Sequence, residues 1–345
     1  MRRRIILLIG VSLLVTQVFA ADTPEILLKK GDEARKAGKQ EEAISYYTQV
    51  ITKDPQRAIA HVNLGVAYES LGRFNEAIDA FKHAIDINPQ YALAYYNLGA
   101  AHGRNGNYQE SVDAYKKAVS INPEYADAYY NLGLAYGKNE KFKEAMEAFR
   151  EVIKIDPTNA VAYVDLAVAH EGLGNNRDAI EIYAQALQIN PNHARAHYNL
   201  GSVHSKLGNY QKAVDAYKKA IHVNSRYIDA HNALGAAYLK LGRFQEAVKT
   251  YKRSIDLSPD LPHAHVNLGY AYRKIGKHAN AVDALKQAIK IEPDFAKAYY
   301  SLGITYSTMG NRKAAQDQYK ILEKIDKELA RKLLSKLSES TSGTP

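Results

Sequence analysis

The chain has 345 residues, 46% hydrophobic and 24% charged, which is enough apolar material for a folded core. It contains no cysteine, and this excludes disulfides, thiolate metal sites and cysteine nucleophiles. The net charge is +9, but Arg2, Arg3 and Arg4 supply three of these charges, and the remaining +6 is dispersed along the chain. Such a weak charge gives no support for nucleic-acid binding.

The N-terminus has the pattern of a secretory signal. After the three arginines, an uncharged run extends from Ile5 to Ala21, shorter than the ~20 apolar residues that a membrane-spanning helix needs. Ala20, with Val18 two places earlier, is typical of a cleavage site. We predict a signal peptide over residues 1–20 and a periplasmic or secreted protein. An uncleaved inner-membrane anchor, with the rest of the chain facing the periplasm, is the alternative.

From residue 24 to residue 329 the sequence repeats every 34 residues without an insertion or a deletion. We number the positions of each repeat as slots 1 to 34. The nine repeats are 24–57, 58–91, 92–125, 126–159, 160–193, 194–227, 228–261, 262–295 and 296–329. Leucine fills slot 7 and glycine slot 8 in eight repeats each, a small residue fills slot 20 in all nine, and proline fills slot 32 in seven. Such regularity indicates a repeat architecture.

The second repeat shows why each unit is predicted to form two helices. Its apolar residues recur at helical spacing before Gly72 and again after it. Gly72 ends the first helix, where a left-handed backbone is needed, and Glu140 occupies that slot in the fourth repeat. The slot-32 proline stops the second helix. The sequence therefore predicts an all-α chain of nine helix–turn–helix units.

Leucines continue at helical spacing at the end of the ninth repeat and beyond it: Leu329, Leu333, Leu334 and Leu337. We predict a capping helix over residues 326–337, or an extension of the last repeat helix, because a stack of repeats needs its end covered. Residues 338–345 are expected to form a mobile tail.

The slots resemble the signature of tetratricopeptide repeats, a family of 34-residue helix–turn–helix units. The resemblance covers 306 of the 345 residues. It implies a right-handed α-solenoid superhelix whose first helices line a concave groove. We find no catalytic motif, and the regular repeats leave no room for a catalytic domain. We therefore expect a noncatalytic protein without a cofactor.

Histidines raise the question of a metal site, chiefly His193, His197 and His204. His197 shares a slot with three other histidines, where members of the family carry tryptophan or another packing ring, and His204 stands in a slot that holds tyrosine in five repeats. The three histidines are therefore interpreted as packing residues, and no metal is expected.

Slot 6 carries asparagine in five repeats: Asn63, Asn97, Asn131, Asn199 and Asn267. The resemblance places this slot on the concave side, where amide donors and acceptors can hold the backbone of an extended peptide. The row is similar to the asparagine ladder of O-linked N-acetylglucosamine transferase, which binds extended substrates. Asp165, Ala233 and Ser301 interrupt it here. Packing between repeats is the alternative role for these asparagines.

Two further slots extend the candidate surface. Slot 5 supplies the tyrosines Tyr96, Tyr130, Tyr198 and Tyr300, which would offer apolar contact area. Slot 13 is basic in six repeats, including Arg104, Lys138, Lys206, Lys240 and Lys274. It predicts a positive stripe that favours acidic ligands or C-terminal carboxylates, with a solvated helix face as the alternative.

The sequence thus predicts a noncatalytic scaffold that binds extended segments of other proteins in its groove, in envelope assembly or secretion. One alternative is a membrane-tethered assembly subunit that docks folded partners. Another is a binder of an anionic polymer through the basic stripe. Leu28 and Asp32 stand where co-chaperone members of the family carry a lysine and an asparagine, so their carboxylate clamp is not expected.

Overall fold

The computed structural model describes residues 22–339. Within this range the chain forms nineteen α-helices and no strand. The predicted signal peptide over residues 1–20 lies outside the described residues, as do residues 340–345 of the predicted tail. None of the helices between residues 22 and 339 has the length and apolar content needed to cross a membrane. The prediction of an all-α fold built from helical repeats is confirmed.

Each repeat consists of two helices of nearly equal length. The first helices are α1 (Pro24–Lys36), α3 (Ala58–Ser70), α5 (Ala92–Arg104), α7 (Ala126–Lys138), α9 (Ala160–Gly172), α11 (Ala194–Lys206), α13 (Ile228–Lys240), α15 (Pro262–Lys274) and α17 (Ala296–Thr308). The second helices are α2 (Gln40–Lys53), α4 (Phe74–Ile87), α6 (Tyr108–Ile121), α8 (Phe142–Ile155), α10 (Asn176–Ile189), α12 (Tyr210–Val223), α14 (Phe244–Leu257), α16 (His278–Ile291) and α18 (Arg312–Ile325). A last helix, α19 (Lys327–Glu339), follows the ninth repeat.

The turn between the two helices of a repeat depends on slot 15. Gly72 has a φ of 74° there, a left-handed conformation that glycine adopts at no steric cost. Glu140 has a φ of 57° and is the only non-glycine residue with positive φ between residues 22 and 339. Each second helix ends at slot 30, two residues before slot 32. In seven repeats slot 32 is a proline, which disfavours helical backbone in the residue before it, whereas α12 and α18 end at slot 30 without one.

The two helices of a repeat approach most closely at slot 8. A Cβ atom on Gly65 would lie 2.5 Å from Cε1 of Phe81 on the second helix, so a glycine is needed for this contact. The fully buried Phe81 ring belongs to a core cluster that includes Ala94 and Ala101 of the next repeat. Each repeat therefore buries its apolar residues partly against its neighbour.

The chain divides into two compact units, Met1–Ala162 and Tyr163–Pro345. In each unit the helices of a repeat pack on each other, and the second helix packs on the first helix of the following repeat. In the second unit, α19 packs against α17 and α18 and buries Ala330 and Leu333 beside Leu322. This helix ends two residues beyond the predicted end at residue 337, so Ser338 and Glu339 are helical.

Candidate functional site

The predicted binding residues lie on one face of the first helices. Slots 2, 5, 6, 9 and 13 fall within roughly 100° of one another around an α-helix. We call the surface that they form within each of the two units the first-helix face of that unit. Its basic slot-13 residues are exposed, whereas the slot-5 tyrosines and the slot-6 asparagines are half-buried.

In the first unit, two slot-6 asparagines donate hydrogen bonds to the preceding repeat. Asn63 Nδ2 donates to Asp32 Oδ1 at 3.0 Å, and the same oxygen accepts a bond from the Tyr47 hydroxyl at 2.7 Å. Asn131 Nδ2 donates to the Tyr96 hydroxyl at 3.0 Å. Both amides therefore help to join neighbouring repeats, and their carbonyl oxygens are acceptors that a ligand can use.

The other three asparagines, Asn97, Asn199 and Asn267, are half-buried in the same slot. Asn199 lies close to Tyr183 of the preceding repeat. Burial raises the pKa of Tyr183, and the hydrogen bond that its hydroxyl donates to Glu171 raises it further, while the Asn199 side chain acts in the opposite direction. This asparagine also faces the neighbouring repeat.

The slot-5 tyrosines are held in place by other aromatic rings. The Tyr96 ring stacks on Tyr125 with centroids 5.0 Å apart and lies 5.8 Å from Tyr115. Three repeats later, Tyr198 makes the same two contacts at 5.1 and 5.8 Å, with Tyr227 and Tyr217. The rings are therefore fixed before any ligand arrives, which lowers the entropy that binding costs.

The ring of Tyr130 is supported in a similar way. Its centroid lies 5.8 Å from that of Phe149, and the side chain is half-buried. Tyr300 is half-buried in the same slot of the ninth repeat.

Sequence reasoning missed the exposed aliphatic side chains of this face. Leu93 in slot 2 is 37% exposed, Leu134 in slot 9 is 39% exposed, and Val168 in slot 9 is 36% exposed. Slots 2 and 9 lie between slots 5 and 13 around the helix. The signal was available, because leucine, valine, isoleucine and alanine fill slot 9 in six repeats, although Val66, Ala100 and Ile304 also pack against the core.

Two of the five predicted basic residues are paired with glutamates of the preceding repeat. Arg104 Nη1 lies 3.3 Å from Glu69 Oε1, and Lys206 Nζ lies 2.7 Å from Glu171 Oε2. The two glutamate side chains are only 10% and 13% exposed. Each pair joins slot 12 of one repeat to slot 13 of the next, a combination that the pattern of slot 13 alone does not reveal. Opposite charges 35 residues apart in the sequence would have predicted these ion pairs.

The remaining basic residues, Lys138, Lys240 and Lys274, are exposed and form no ion pair within 4 Å with any residue between 22 and 339. Lys274 Nζ lies 5.7 Å from the centroid of the Tyr270 ring. Among the five predicted basic residues, the positive charge available to a ligand is therefore concentrated on these three lysines.

The slot-4 histidines have a structural role. Nε2 of His61, His197 and His265 lies 3.2, 2.9 and 3.0 Å from the carbonyl oxygen of the slot-32 proline that precedes each of them. Tyr299 makes the same contact, and its hydroxyl donates to Pro293 O at 2.9 Å. Residues 22–339 contain no cluster of three or more side chains that could hold a metal ion. In these four repeats the ring in slot 4 ties the repeat to the loop before it.

Family models match most of the chain. The model described as the cilia and flagella-associated protein 70 C-terminal domain matches residues 14–226. A model described as TPR repeat matches residues 237–276 and 269–310. Two models described as tetratricopeptide repeat match residues 216–249 and 296–328.

Solved structures of repeat proteins are similar to about half of the chain. A crystal structure of MamA protein is 33% identical, and the match covers 50% of this chain and 95% of that one with a TM-score of 0.47. The structure of YrrB, described as a TPR protein with an unusual peptide-binding site, is 24% identical, with coverages of 54% and 96% and a TM-score of 0.48. MamA 41-end from Desulfovibrio magneticus RS-1 is 22% identical, with coverages of 50% and 97% and a TM-score of 0.47. None of the curated proteins compared with the chain matches it.

Proposed function

Because the chain belongs to the tetratricopeptide repeat family, we propose that it is a noncatalytic scaffold that binds extended segments of other proteins on its first-helix face. One observation carries this proposal. Exposed aliphatic side chains such as Leu134, pre-positioned tyrosines such as Tyr96, and exposed unpaired lysines such as Lys138 occupy the same face.

The free energies of the individual contacts indicate how long the bound segment must be. Full burial of a leucine side chain contributes about 1.5–3 kcal/mol, and Leu93 and Leu134 have only 37% and 39% of their surface left to bury. Each net hydrogen bond to an asparagine adds about 0.5–1.5 kcal/mol. Association costs at least about 4 kcal/mol. Useful affinity therefore requires contacts with several repeats, which favours an extended segment over a single side chain.

The charge distribution favours acidic residues in that segment. Lys138 attracts them in the first unit, and Lys240 and Lys274 attract them in the second. The charges of Arg104 and Lys206 are compensated by glutamates. An anionic polymer that needs an unbroken positive stripe receives less support from this arrangement, because compensated charges attract distant anions only weakly.

We further propose that the protein acts outside the cytoplasm, in envelope assembly or secretion. The support is the basic start and uncharged run of the first 21 residues. Mass spectrometry of the mature protein should find an N-terminus at Ala21. An N-terminus at Met1 or Arg2 in a membrane fraction would favour the tethered assembly subunit instead.

The binding proposal is tested by a pull-down from envelope extract with two charge-matched triple variants. Lys138→Glu, Lys240→Glu and Lys274→Glu together change the first-helix face. Lys116→Glu, Lys218→Glu and Lys252→Glu change slot 25 of three second helices, where the lysines are also exposed. We expect the first variant to lose a protein partner that the second retains, at equal melting temperature. Equal retention by both variants would contradict the proposal.

A further inference from the structure

A cleft lies between the fifth and sixth repeats, within the second unit. Its walls come from α10, α11 and α12, and its volume is about 1250 Å³, including the solvent at its mouth. The floor contains Ala184, Leu187, Leu200 and Val223. None of the predicted first-helix-face residues lines it. This surface is separate from the one in the proposed function.

The cleft coincides with two departures from the repeat pattern. Ala184 occupies slot 25, where seven other repeats carry lysine or arginine, so a long side chain that could cover the floor is missing. Lys212 occupies slot 19, where six repeats carry an acid and no other carries a base. Departures from a pattern that most repeats follow are expected at functional sites.

The lysine in slot 19 reverses the sign of the charge beside the slot-11 histidine ring. In the fifth repeat, the acid Asp178 lies 3.4 Å from the slot-11 ring of His170. In the sixth repeat, the corresponding residues are Lys212 and His204, and the pKa of His204 is lowered, first by burial and then by Lys212. With Lys219 also in the lining and Asp215 as its single acid, the cleft is positively charged.

A buried polar atom in the wall has no partner. His197 is 7% exposed, and its Nε2 lies 2.9 Å from Pro191 O. A carbonyl only accepts, so Nε2 carries the proton and Nδ1 has a lone pair. This Nδ1 is buried and makes no hydrogen bond to any described residue. Leaving a buried acceptor unsatisfied is unfavourable, but this atom is closed off from solvent, so it does not contact an occupant of the cleft.

We propose that this cleft is a second docking site, for an acidic segment of a partner protein that carries a large apolar side chain. The apolar side chain packs on Ala184, Leu187 and Leu200, and an acidic side chain pairs with Lys212 or Lys219. Lys212 and Val223 are eleven residues apart on α12, so the cleft is about 16 Å long. That length accommodates about five residues of an extended chain.

The test selects peptides from a random dodecapeptide phage library against the full chain and measures their binding to variants. The cleft variant is Ala184→Lys with Lys212→Glu, which gives both slots the residues that other repeats carry. The control is Thr48→Lys with Lys249→Glu, which makes the same charge changes at exposed positions elsewhere. We expect selected peptides rich in Asp, Glu and large apolar residues that bind the cleft variant at least ten-fold more weakly, about 1.4 kcal/mol, and the control equally well.

The triple variant Lys138→Glu, Lys240→Glu and Lys274→Glu separates this site from the first-helix face, because peptides of the cleft should bind it normally. Circular dichroism confirms that each variant is folded. The proposal is overturned if no selected peptide distinguishes the cleft variant from its control, or if the peptides that do so lack acidic residues.

Discussion

Gly133 and Gly137 lie one turn apart on α7 and differ in what surrounds them. A Cβ atom on Gly133, in slot 8, would lie 2.6 Å from Cε1 of Phe149. A Cβ atom on Gly137 would meet nothing within 4 Å. The neighbouring helix therefore favours glycine in slot 8, although the fifth repeat accommodates Ala167 there, whereas Gly137 is tolerated in a helix without a packing reason.

Alanine substitutions should have opposite effects at these two positions. Gly133→Ala overpacks the contact with Phe149, and we expect it to lower the free energy of unfolding by about 1–3 kcal/mol. Gly137→Ala reduces the entropy of the unfolded chain and should raise it by about 0.4–1 kcal/mol. Urea unfolding followed by circular dichroism measures both changes. Two changes of the same sign would show that the packing of slot 8 has been misassigned.

His197 links the stability of the fold to pH. Burial lowers its pKa below the ordinary value of 6.5, and Lys219 lowers it further, although the contact with Pro191 O acts in the opposite direction. The folded state therefore binds a proton less readily than the unfolded state. The stability that comes from the neutral ring is fully present above the unfolded pKa and is lost as the pH falls through the folded pKa.

A tyrosine at this position should remove that pH dependence. His197→Tyr is a conservative choice, because Tyr299 makes the same contact with a proline carbonyl in the ninth repeat. We expect the melting temperature of the variant to fall less than that of the native chain between about pH 7.5 and pH 5.5. His222→Gln, at an exposed position of α12, serves as the control and should behave like the native chain. An unchanged pH dependence in His197→Tyr would contradict this account.

The turn between the paired helices of the fourth repeat has a strained backbone, and the effect of this strain on stability can be measured. Glu140 holds a left-handed conformation that glycine occupies in the other eight repeats, and this conformation costs a residue with a Cβ about 1–2 kcal/mol. Glu140→Gly should therefore stabilise the chain, by about 1 kcal/mol once the greater freedom of glycine in the unfolded state is subtracted.

The reverse change provides the comparison for this turn. Gly106 has a φ of 82°, and a Cβ atom there would meet nothing within 4 Å, so Gly106→Glu should destabilise the chain through its backbone alone. Thermal unfolding of both variants checks the pair of predictions. A destabilising Glu140→Gly would mean that this glutamate makes a side-chain interaction that outweighs its backbone strain.

At the scale of the whole molecule, the repeat made the fold predictable. Because the sequence repeats every 34 residues, each slot occurs nine times. An atypical residue such as Glu140 therefore does not obscure the end of the first helix, which glycine marks in the other eight repeats. The last helix extends beyond the nine repeats, so no other repeat shows where it ends. Its end lies two residues beyond the predicted one.

The candidate site was less predictable because its contacts join different slots of different repeats. The pair of Glu69 and Arg104 joins slot 12 to slot 13 of the next repeat, which a slot-by-slot reading does not compare. Burial raises the pKa of Glu69, and Arg104 opposes this effect. This arginine is therefore paired within the protein and is not free to bind a ligand. The bond from Asn131 to Tyr96 likewise depends on the stacking of repeats.

Site-specific photo-crosslinking shows most directly whether the first-helix face binds other proteins. The full chain is produced in its native host with p-benzoylphenylalanine in place of Leu134 on this face, or of Lys116 on a second helix; both positions are exposed. We predict a covalent adduct with another protein from position 134 and none from position 116. An adduct of equal yield from both positions, or from position 116 alone, would contradict the claim.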